Sequence, residues 1–337
     1  MRFAVILLVV CIAFGQQTKV FQFTQNQSPS DLEEVAAVVR GIVGIQQLSV
    51  HNAARTLTAN ASGEKIGLAS WLVHQLDVPA DAVHGVPGEW TSGPDDIVFP
   101  YMTIAPTSDA LQKIATAVRT MADIQRVFVC ESLKTVVLRT GTSQQFSVAT
   151  WLIGQLNWPK DVPTPRPLDL ELSDGETLRI FELTHVPAPP DGALIELYNL
   201  VRTVADVPRV FPYSERNILM IRERADKMAL AAWLVNELDR PASAQAVTGE
   251  SLVAREYPIS LQEKKVRLFY LPPPPQFWND VQKGNYALKA SDLVRMNSGA
   301  DRASGYALLN AVAVRGTPDE LATAQSLLED FVNRPPE

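Results

Sequence analysis

The sequence is poor in the residues that build disulfide frameworks and metal sites. It has two cysteines and four histidines among 337 residues, too few for a disulfide-dense scaffold or a cysteine-built zinc site. It also lacks an excess of positive charge, since 30 Lys and Arg stand against 37 Asp and Glu, for a net charge of −7. Because phosphate binding needs a basic surface, nucleic acid and anionic membranes are disfavoured as the main partners.

Long hydrophobic runs are missing as well, apart from one at the N-terminus. Residues 1–15 carry Arg2 and an apolar run, and the small Ala13 and Gly15 stand at the −3 and −1 positions of a cut after Gly15. This is the pattern of a secretory signal peptide, and the run is shorter than the roughly 20 residues of a membrane-spanning helix. We therefore expect a protein exported to the periplasm or cell envelope, with no integral membrane segment after cleavage. A retained N-terminal anchor is the alternative.

Cleavage at this point removes Cys11 and leaves Cys130 as the remaining thiol. The flanking residues, Arg-Val-Phe-Val-Cys-Glu-Ser, have the β-branched and aromatic character of a strand. The sequence therefore predicts a packed, unreactive cysteine, with a reactive thiol as the alternative.

The motifs of common enzyme classes are absent from the sequence. It contains no Gly-rich phosphate loop followed by Lys-Ser/Thr, no Gly-x-Ser-x-Gly and no His-Glu-x-x-His. The acidic segment Asp169–Glu176 lacks the ligand spacing of an EF-hand and is interpreted as a turn. Gly41–Gly44 matches the Gly-x-x-Gly spacing of KH domains, but its middle residues are apolar. We expect no enzyme, no cofactor, and no catalytic, cofactor-binding or metal-binding residues.

What the sequence does contain is an internal repeat. Similar nine-residue segments begin with tryptophan and end with proline at Trp71–Pro79, Trp151–Pro159 and Trp233–Pro241, and a degenerate copy is Leu327–Pro335. A second helical pattern precedes each tryptophan and contains the dipeptide Val39-Arg40, Val118-Arg119 or Val201-Arg202. In both segments the apolar residues recur at helical spacing, which predicts two amphipathic helices per repeat. Ser30, Ser108 and Asp191 (or Pro190) are the predicted starts of the first helices.

Short β-branched runs separate and precede these helices, so each repeat has the order βαββα. The predicted fold class is α+β: tandem small βαββα modules, each with two helices packed on a three-stranded sheet. The predicted segments are a signal peptide over 1–15, module 1 over 16–79, module 2 over 97–159, module 3 over 177–241 and a divergent module 4 over 255–337. Proline-rich or small polar linkers separate them, at Pro79–Pro94, Trp158–Pro167 and Pro241–Glu250.

Two sets of repeated side chains each allow two interpretations. Trp71, Trp151 and Trp233 are expected to cover the core between helices and sheet, with a ligand platform as the alternative. The arginines of the Val-Arg dipeptides either pack their stems over the edge between helix and sheet or form salt bridges between neighbouring subunits.

The repeats resemble the small N-terminal domains of secretins, the outer-membrane channels of type II and III secretion and of type IV pili. The resemblance rests on Arg216–Arg222 with Ala229–Pro241, and on Asn310–Pro318 with Leu327–Pro335. It implies a KH-like βαββα fold and modules that stack in the periplasm and pack side by side into rings. Module 1 departs from the Asn-led strand, with Arg55-Thr-Leu-Thr in its place. No β-rich segment follows the repeats, so a channel domain is not expected.

The predicted function is therefore an exported, non-enzymatic scaffold or assembly protein. Its expected partner is itself or an envelope secretin- or pilus-type protein, and an oligomer is one outcome. The alternative from another class is a secreted enzyme or small-ligand-binding protein with a site at a domain junction, near Pro272–Asn279. A third interpretation, nucleic-acid binding, requires a basic stripe.

Overall fold

The computed structural model describes residues 16–25, 28–79, 88–93, 95–158, 168–187, 192–241, 252–259, 263–274 and 280–333. The predicted signal peptide, parts of all three predicted linkers and residues 275–279 lie outside this set. The chain falls into two compact halves, residues 1–157 and 158–337. Each half contains two repeats. The α+β class with helices packed on small antiparallel sheets is confirmed.

The first half contains modules 1 and 2. Module 1 consists of β1 (Gln16–Gln22), α1 (Pro29–Val43), β2 (Gln47–His51), β3 (Thr56–Ser62) and α2 (Gly63–Leu76). Module 2 consists of β4 (Trp90–Gly93), β5 (Asp96–Met102), α3 (Ser108–Ala122), β6 (Arg126–Cys130), β7 (Thr135–Thr140) and α4 (Ser143–Leu156). The strand orders are β1-β3-β2 and β4-β5-β7-β6, and all neighbours are antiparallel.

The second half contains modules 3 and 4. Module 3 consists of β8 (Asp169–Glu171), β9 (Glu176–Glu182), α5 (Ala193–Val204), β10 (Val210–Tyr213), β11 (Ile218–Arg224) and α6 (Ala225–Leu238). Module 4 consists of β12 (Val253–Pro258), β13 (Lys265–Tyr270), α7 (Asp280–Gly284), α8 (Tyr286–Asn297), β14 (Arg302–Tyr306), β15 (Ala311–Gly316) and α9 (Pro318–Asn333). The orders are β8-β9-β11-β10 and β12-β13-β15-β14. The divergent fourth repeat therefore completes the βαββα order.

Modules 2, 3 and 4 each have one strand more than the predicted three. The additional strands β4, β8 and β12 each form a hairpin with the next strand and occupy one edge of the sheet. β4 lies within Pro79–Pro94, which was predicted to be a linker. Such a strand has only three to six residues and gains its backbone hydrogen bonds from a neighbour, so local composition gives little sign of it.

The apolar residues predicted for the helices form the core. In α1, for example, Leu32, Val35, Ala36, Val39 and Ile42 are all buried. The same columns are buried in α3 and, except for the half-buried Tyr198, in α5.

One predicted start of the first helices needs correction. Ser28 caps α1 and forms a capping box with Asp31, so Ser30 lies inside the helix. Ser108 is the first residue of α3, as predicted, and Thr107 caps that helix. In both cases the capping residue has extended backbone and presents its hydroxyl to an otherwise unpaired N–H. The alternatives Asp191 and Pro190 lie outside the described residues.

Candidate interaction site: the contacts between modules

In the first half, helix α1 of module 1 packs against edge strand β6 of module 2. Gly41 faces the Phe128 ring so closely that a Cβ atom at position 41 would overlap it. Gly44 ends the helix with a φ of 74°, in the left-handed region that glycine tolerates. Packing against Phe128 explains Gly41, and helix termination explains Gly44. The Gly-x-x-Gly spacing therefore needs no nucleic-acid-binding role.

A carboxylate anchors the same contact. Glu34 accepts hydrogen bonds through Oε2 from the backbone N–H of Ser132 at 3.1 Å and from its hydroxyl at 2.9 Å. The Cys130 thiol lies 3.6 Å from the same oxygen. Burial raises the pKa of Cys130 to about 12, and the charge of Glu34 adds to the rise. The prediction of a packed cysteine is confirmed, and the thiol is held protonated.

The second helix of module 1 also contacts module 2. The Trp71 ring of α2 lies 6.0 Å, between centroids, from the Trp90 ring of β4. On strand β7, Arg139 is held by two hydrogen bonds to Asp96, at 2.6 and 2.7 Å, and donates to the Ile42 carbonyl at the end of α1. Both helices of module 1 therefore face the sheet of module 2.

The second half contains the same kind of contact, between α5 of module 3 and β14 of module 4. Glu196 accepts a 2.8 Å hydrogen bond from the backbone N–H of Ala307, in the turn after β14. Burial raises the pKa of Glu196, and the N–H of Ala307 partly offsets that rise. Arg302 donates to the Thr203 carbonyl at 2.9 Å and to Asp206 at 2.6 Å. Burial works against ionisation of Asp206, but Arg302 and Lys227 lower its pKa overall.

The second helix of module 3 repeats the aromatic contact. The Trp233 ring of α6 lies 5.4 Å from the Tyr257 ring of β12. Nearby, the buried Glu237 of α6 accepts hydrogen bonds from Arg240 at 2.6 Å and from Arg255 of β12 at 3.1 Å. A buried carboxylate needs such partners, because ionised groups away from water are costly unless they are paired.

Sequence alignment of the modules shows that the two contacts use the same positions. Glu34 and Glu196 both stand six residues before the repeated arginine, and Trp71 and Trp233 are the repeated tryptophans. These tryptophans are half-buried and contact an aromatic side chain of the following module's added strand. The prediction that they cover the core is confirmed for Trp71 and Trp233, which pack against the core clusters of their halves. The additional contact with the next module was not predicted, because the added strand was not predicted.

The repeated arginines bond within their own modules. Arg40 donates to the Leu48 carbonyl, and Arg119 donates to the Val127 carbonyl, in each case eight residues further along the chain. Arg202 donates to the Tyr198 hydroxyl. The bonds of Arg40 and Arg119 match the packing alternative, in which the stem crosses from helix to sheet edge, whereas Arg202 bonds to a residue of its own helix.

A role that the sequence did not suggest belongs to the residue that ends each second helix. Asp77 accepts hydrogen bonds from the backbone N–H groups of Thr24 and Gln25, just after β1. Asp239 accepts from Thr184, His185 and Val186, just after β9. Asn157 accepts one bond from Ile104. The repeated Asp or Asn thus fastens the end of the second helix to the end of the first long strand.

The acidic segment Asp169–Glu176 is the β8–β9 hairpin, as the predicted turn requires. Asp169 pairs with Arg179 at 2.6 Å. Asp174 and Glu176 both pair with Arg222, whose side chain is only 6% exposed. Arginine partners therefore occupy these carboxylates. Across the part of the chain that is described, no group of three or more metal-ligating side chains occurs.

The alternative of a ligand site at a domain junction stays a prediction. A cavity of about 430 Å³ opens elsewhere, within module 2, and Asp96, Asp123, Arg126 and Arg139 belong to its lining. Asp96 and Arg139 pair with each other there. Of the predicted junction segment Pro272–Asn279, residues 275–279 lie outside the described set. No helix among the described residues is long and apolar enough to cross a membrane.

Comparison with known proteins gives likenesses in structure only. No family model and no curated protein matches the sequence. The N-terminal domain of the secretin XcpQ from Pseudomonas aeruginosa is 16% identical, covers 42% of this chain and 62% of its own, and has a TM-score of 0.19. Aeromonas hydrophila ExeD is 13% identical, covers 90% and 59%, and has a TM-score of 0.16. The chain thus spans about three fifths of these matched chains. At such TM-scores the likenesses carry no inference, and the fold rests on the sheet topology above.

Proposed function

We propose that this protein is an exported, non-enzymatic scaffold whose βαββα modules bind other modules of the same kind. It acts by self-association or by docking to an envelope secretion or pilus machine. One observation supports this function above all: the same module-to-module contact is built in both halves of the chain, from the same alignment positions.

The contact has a donor side and a receiving side. The donor side is formed by the two helices of a module, with Glu34 and Trp71 in module 1 and Glu196 and Trp233 in module 3. The receiving side is formed by the edge strand, the turn after it and the added strand of the next module. A module therefore presents a different surface on each side, which suits it to assembly in series.

The proposed location follows from the predicted signal peptide over 1–15 together with the secretin-like character of the repeats. A protein placed in the periplasm or cell envelope by such a signal meets other envelope assemblies there. The proposed partners are a second copy of this chain and a secretin- or pilus-type protein.

Sedimentation velocity of the chain from residue 16 onward, over a hundredfold concentration range, tests self-association. Cross-linking in intact cells, with mass spectrometry of the adducts, tests docking. We expect either a concentration-dependent shift to larger species or adducts that contain a second copy or a secretin-type protein. A monomer at every concentration, with neither kind of adduct, would refute the proposed function.

A further inference from the structure

The helices of module 4 have a donor side that lies open. The alignment of modules is fixed here by Val294-Arg295, which continues the Val-Arg series of the first helices. It places Met296 of α8 at the position of Gly41, which faces Phe128, and of Thr203, whose carbonyl accepts from Arg302. Met296 is 73% exposed, a value that only Val281 equals among the exposed large hydrophobic side chains described.

A second apolar position of α8 shows the same change. Leu293 aligns with Val38 of α1 and Leu200 of α5, which are 1% and 0% exposed. Leu293 itself is half-buried. Leu293, Met296 and the half-buried Leu327 of α9, which stands at the tryptophan position, are thus the apolar residues at the donor-side positions of module 4. We call these three residues the open donor face.

The structure shows what covers a face of this kind. In each half, the donor side of one module is covered by the edge strand of another βαββα module and by the turn after that strand. An exposed apolar surface at the same alignment positions fits the same kind of occupant.

The edge strand of module 1 is such an occupant. Arg40 and Arg119 make the same bond to Leu48 and Val127, so β2 aligns with β6 and Ser49 takes the position of Phe128. The side chains of Gln47, Ser49 and His51 are exposed. They form what we call the open receiving edge.

The sizes of the facing residues match between these two surfaces. In the first half a glycine meets a phenylalanine, Gly41 against Phe128. Between two copies the large residue would be on the helix and the small one on the strand, with Met296 against Ser49. The volume lost on the strand, from Phe128 to Ser49, is supplied on the helix, from Gly41 to Met296, as close packing requires.

The charged residue at the contact also differs in module 4. Lys289 stands at the position of Glu34 and Glu196 and is exposed. A lysine donates where a carboxylate accepts, so it needs an acceptor in the facing turn. Asn52, the first residue of the turn after β2, carries a side-chain carbonyl oxygen that can serve.

We propose that the open donor face of module 4 binds the open receiving edge of module 1 in a second copy of this chain. The contact joins two different surfaces, so it continues from copy to copy and generates a ring or a filament. This inference rests on the proposed function and specifies the surface through which self-association occurs.

Disulfide trapping between two single-cysteine variants tests the contact directly. Met296→Cys and Ser49→Cys are mixed, oxidised and separated on a non-reducing gel, with the buried Cys130 as unchanged background. Val281→Cys is the matched control, because Val281 belongs to the same module and is also 73% exposed. Its helix α7 contacts the turn Ala307–Leu309, at the receiving side of module 4.

We expect the Met296→Cys and Ser49→Cys pair to form a linked dimer at least tenfold faster than the pair with Val281→Cys. Met296→Glu should abolish self-association in sedimentation velocity, and Val281→Glu should not, while circular dichroism shows both variants folded. Equal linking rates, or assembly that persists in Met296→Glu, would overturn this contact and leave the proposed function standing. Absence of any assembly or envelope partner in the unmodified chain would instead refute both.

Discussion

Single side chains hold each module together at a point where two segments end. Asp239 receives three backbone N–H groups that follow β9, and its side chain is 12% exposed. Hydrogen bonds to a charged acceptor are stronger than neutral ones, and removing the acceptor leaves the donors without a partner. Asp77 accepts two backbone N–H groups in the same way in module 1. In each of these modules one carboxylate thus binds backbone N–H groups that a turn would otherwise satisfy.

Replacement of Asp239 by alanine should lower the free energy of unfolding by about 2 kcal/mol. Asp239→Asn should cost about half as much, because the amide keeps one acceptor oxygen, as Asn157 does in module 2. Urea unfolding followed by circular dichroism measures both changes. No loss in either variant would show that the hydrogen bonds to the carboxylate are unimportant.

At this scale the sequence predicted part of what is found. The Asn-led strand of the resemblance has a physical reason, since Asn217 and Asn310 have φ values of 54° and 46°, which asparagine tolerates better than most residues. Arg55 and Lys134 adopt the same conformation without that preference. The hairpin imposes it on them, so the residue type alone could not reveal the turn.

At the scale of elements, helix α1 has two apolar faces and only one was predictable. The face toward its own sheet follows from the spacing of apolar residues. The other face, with Val38 and Gly41, contacts β6, whose residues lie about 90 positions further along the chain. Periodicity within the helix contains no information about that partner. The same limit explains why β4 was missed, although its neighbour β5 was predicted.

Gly41→Ala should loosen the contact between α1 and β6, although alanine favours helices. The added Cβ forces the Phe128 ring out of its place, and overpacking of this kind costs about 1–3 kcal/mol. The rate at which a thiol reagent labels Cys130 measures this loosening, because the thiol lies beneath the same contact. We expect faster labelling than in the unmodified protein.

Gly67→Ala is the matched control in α2. Its Cβ would lie 3.7 Å from the Trp90 ring, an ordinary contact, so the gain in helix propensity of about 1 kcal/mol should dominate. Labelling of Cys130 should then stay slow. Labelling of Cys130 in Gly41→Ala that is no faster than in the unmodified protein would contradict the described packing.

At the scale of the whole molecule, modules associate in pairs. The spacing of the tryptophans is nearly constant, so the sequence predicted four modules and did not predict which neighbours pair. Pairing depends on side chains at the contacts, such as Asp206 with Arg302 in the second half. That ion pair makes the stability of the half depend on pH.

The pKa of Asp206 is lowered in the folded state. Its stabilising effect is therefore present above the unfolded value of about 3.9 and is lost as the pH falls through the folded value. Asp206→Asn should cost about 0.5–1 kcal/mol at pH 7, typical of a partly exposed pair, and almost nothing near pH 2. Urea unfolding of both proteins at pH 7, 4 and 2 measures the difference. A cost that does not change with pH would show that the pair contributes nothing.

Two alignment positions alternate along the chain. Six residues before each repeated arginine stand Glu34, Lys113, Glu196 and Lys289, and the second helices end with Asp77, Asn157, Asp239 and Asn333. Odd modules match odd ones and even modules match even ones at both positions. The two modules that donate their helices in a pair, 1 and 3, thus share one combination of residues, and the two that receive them, 2 and 4, share another. The position of a module within its pair can therefore be read from these two residues.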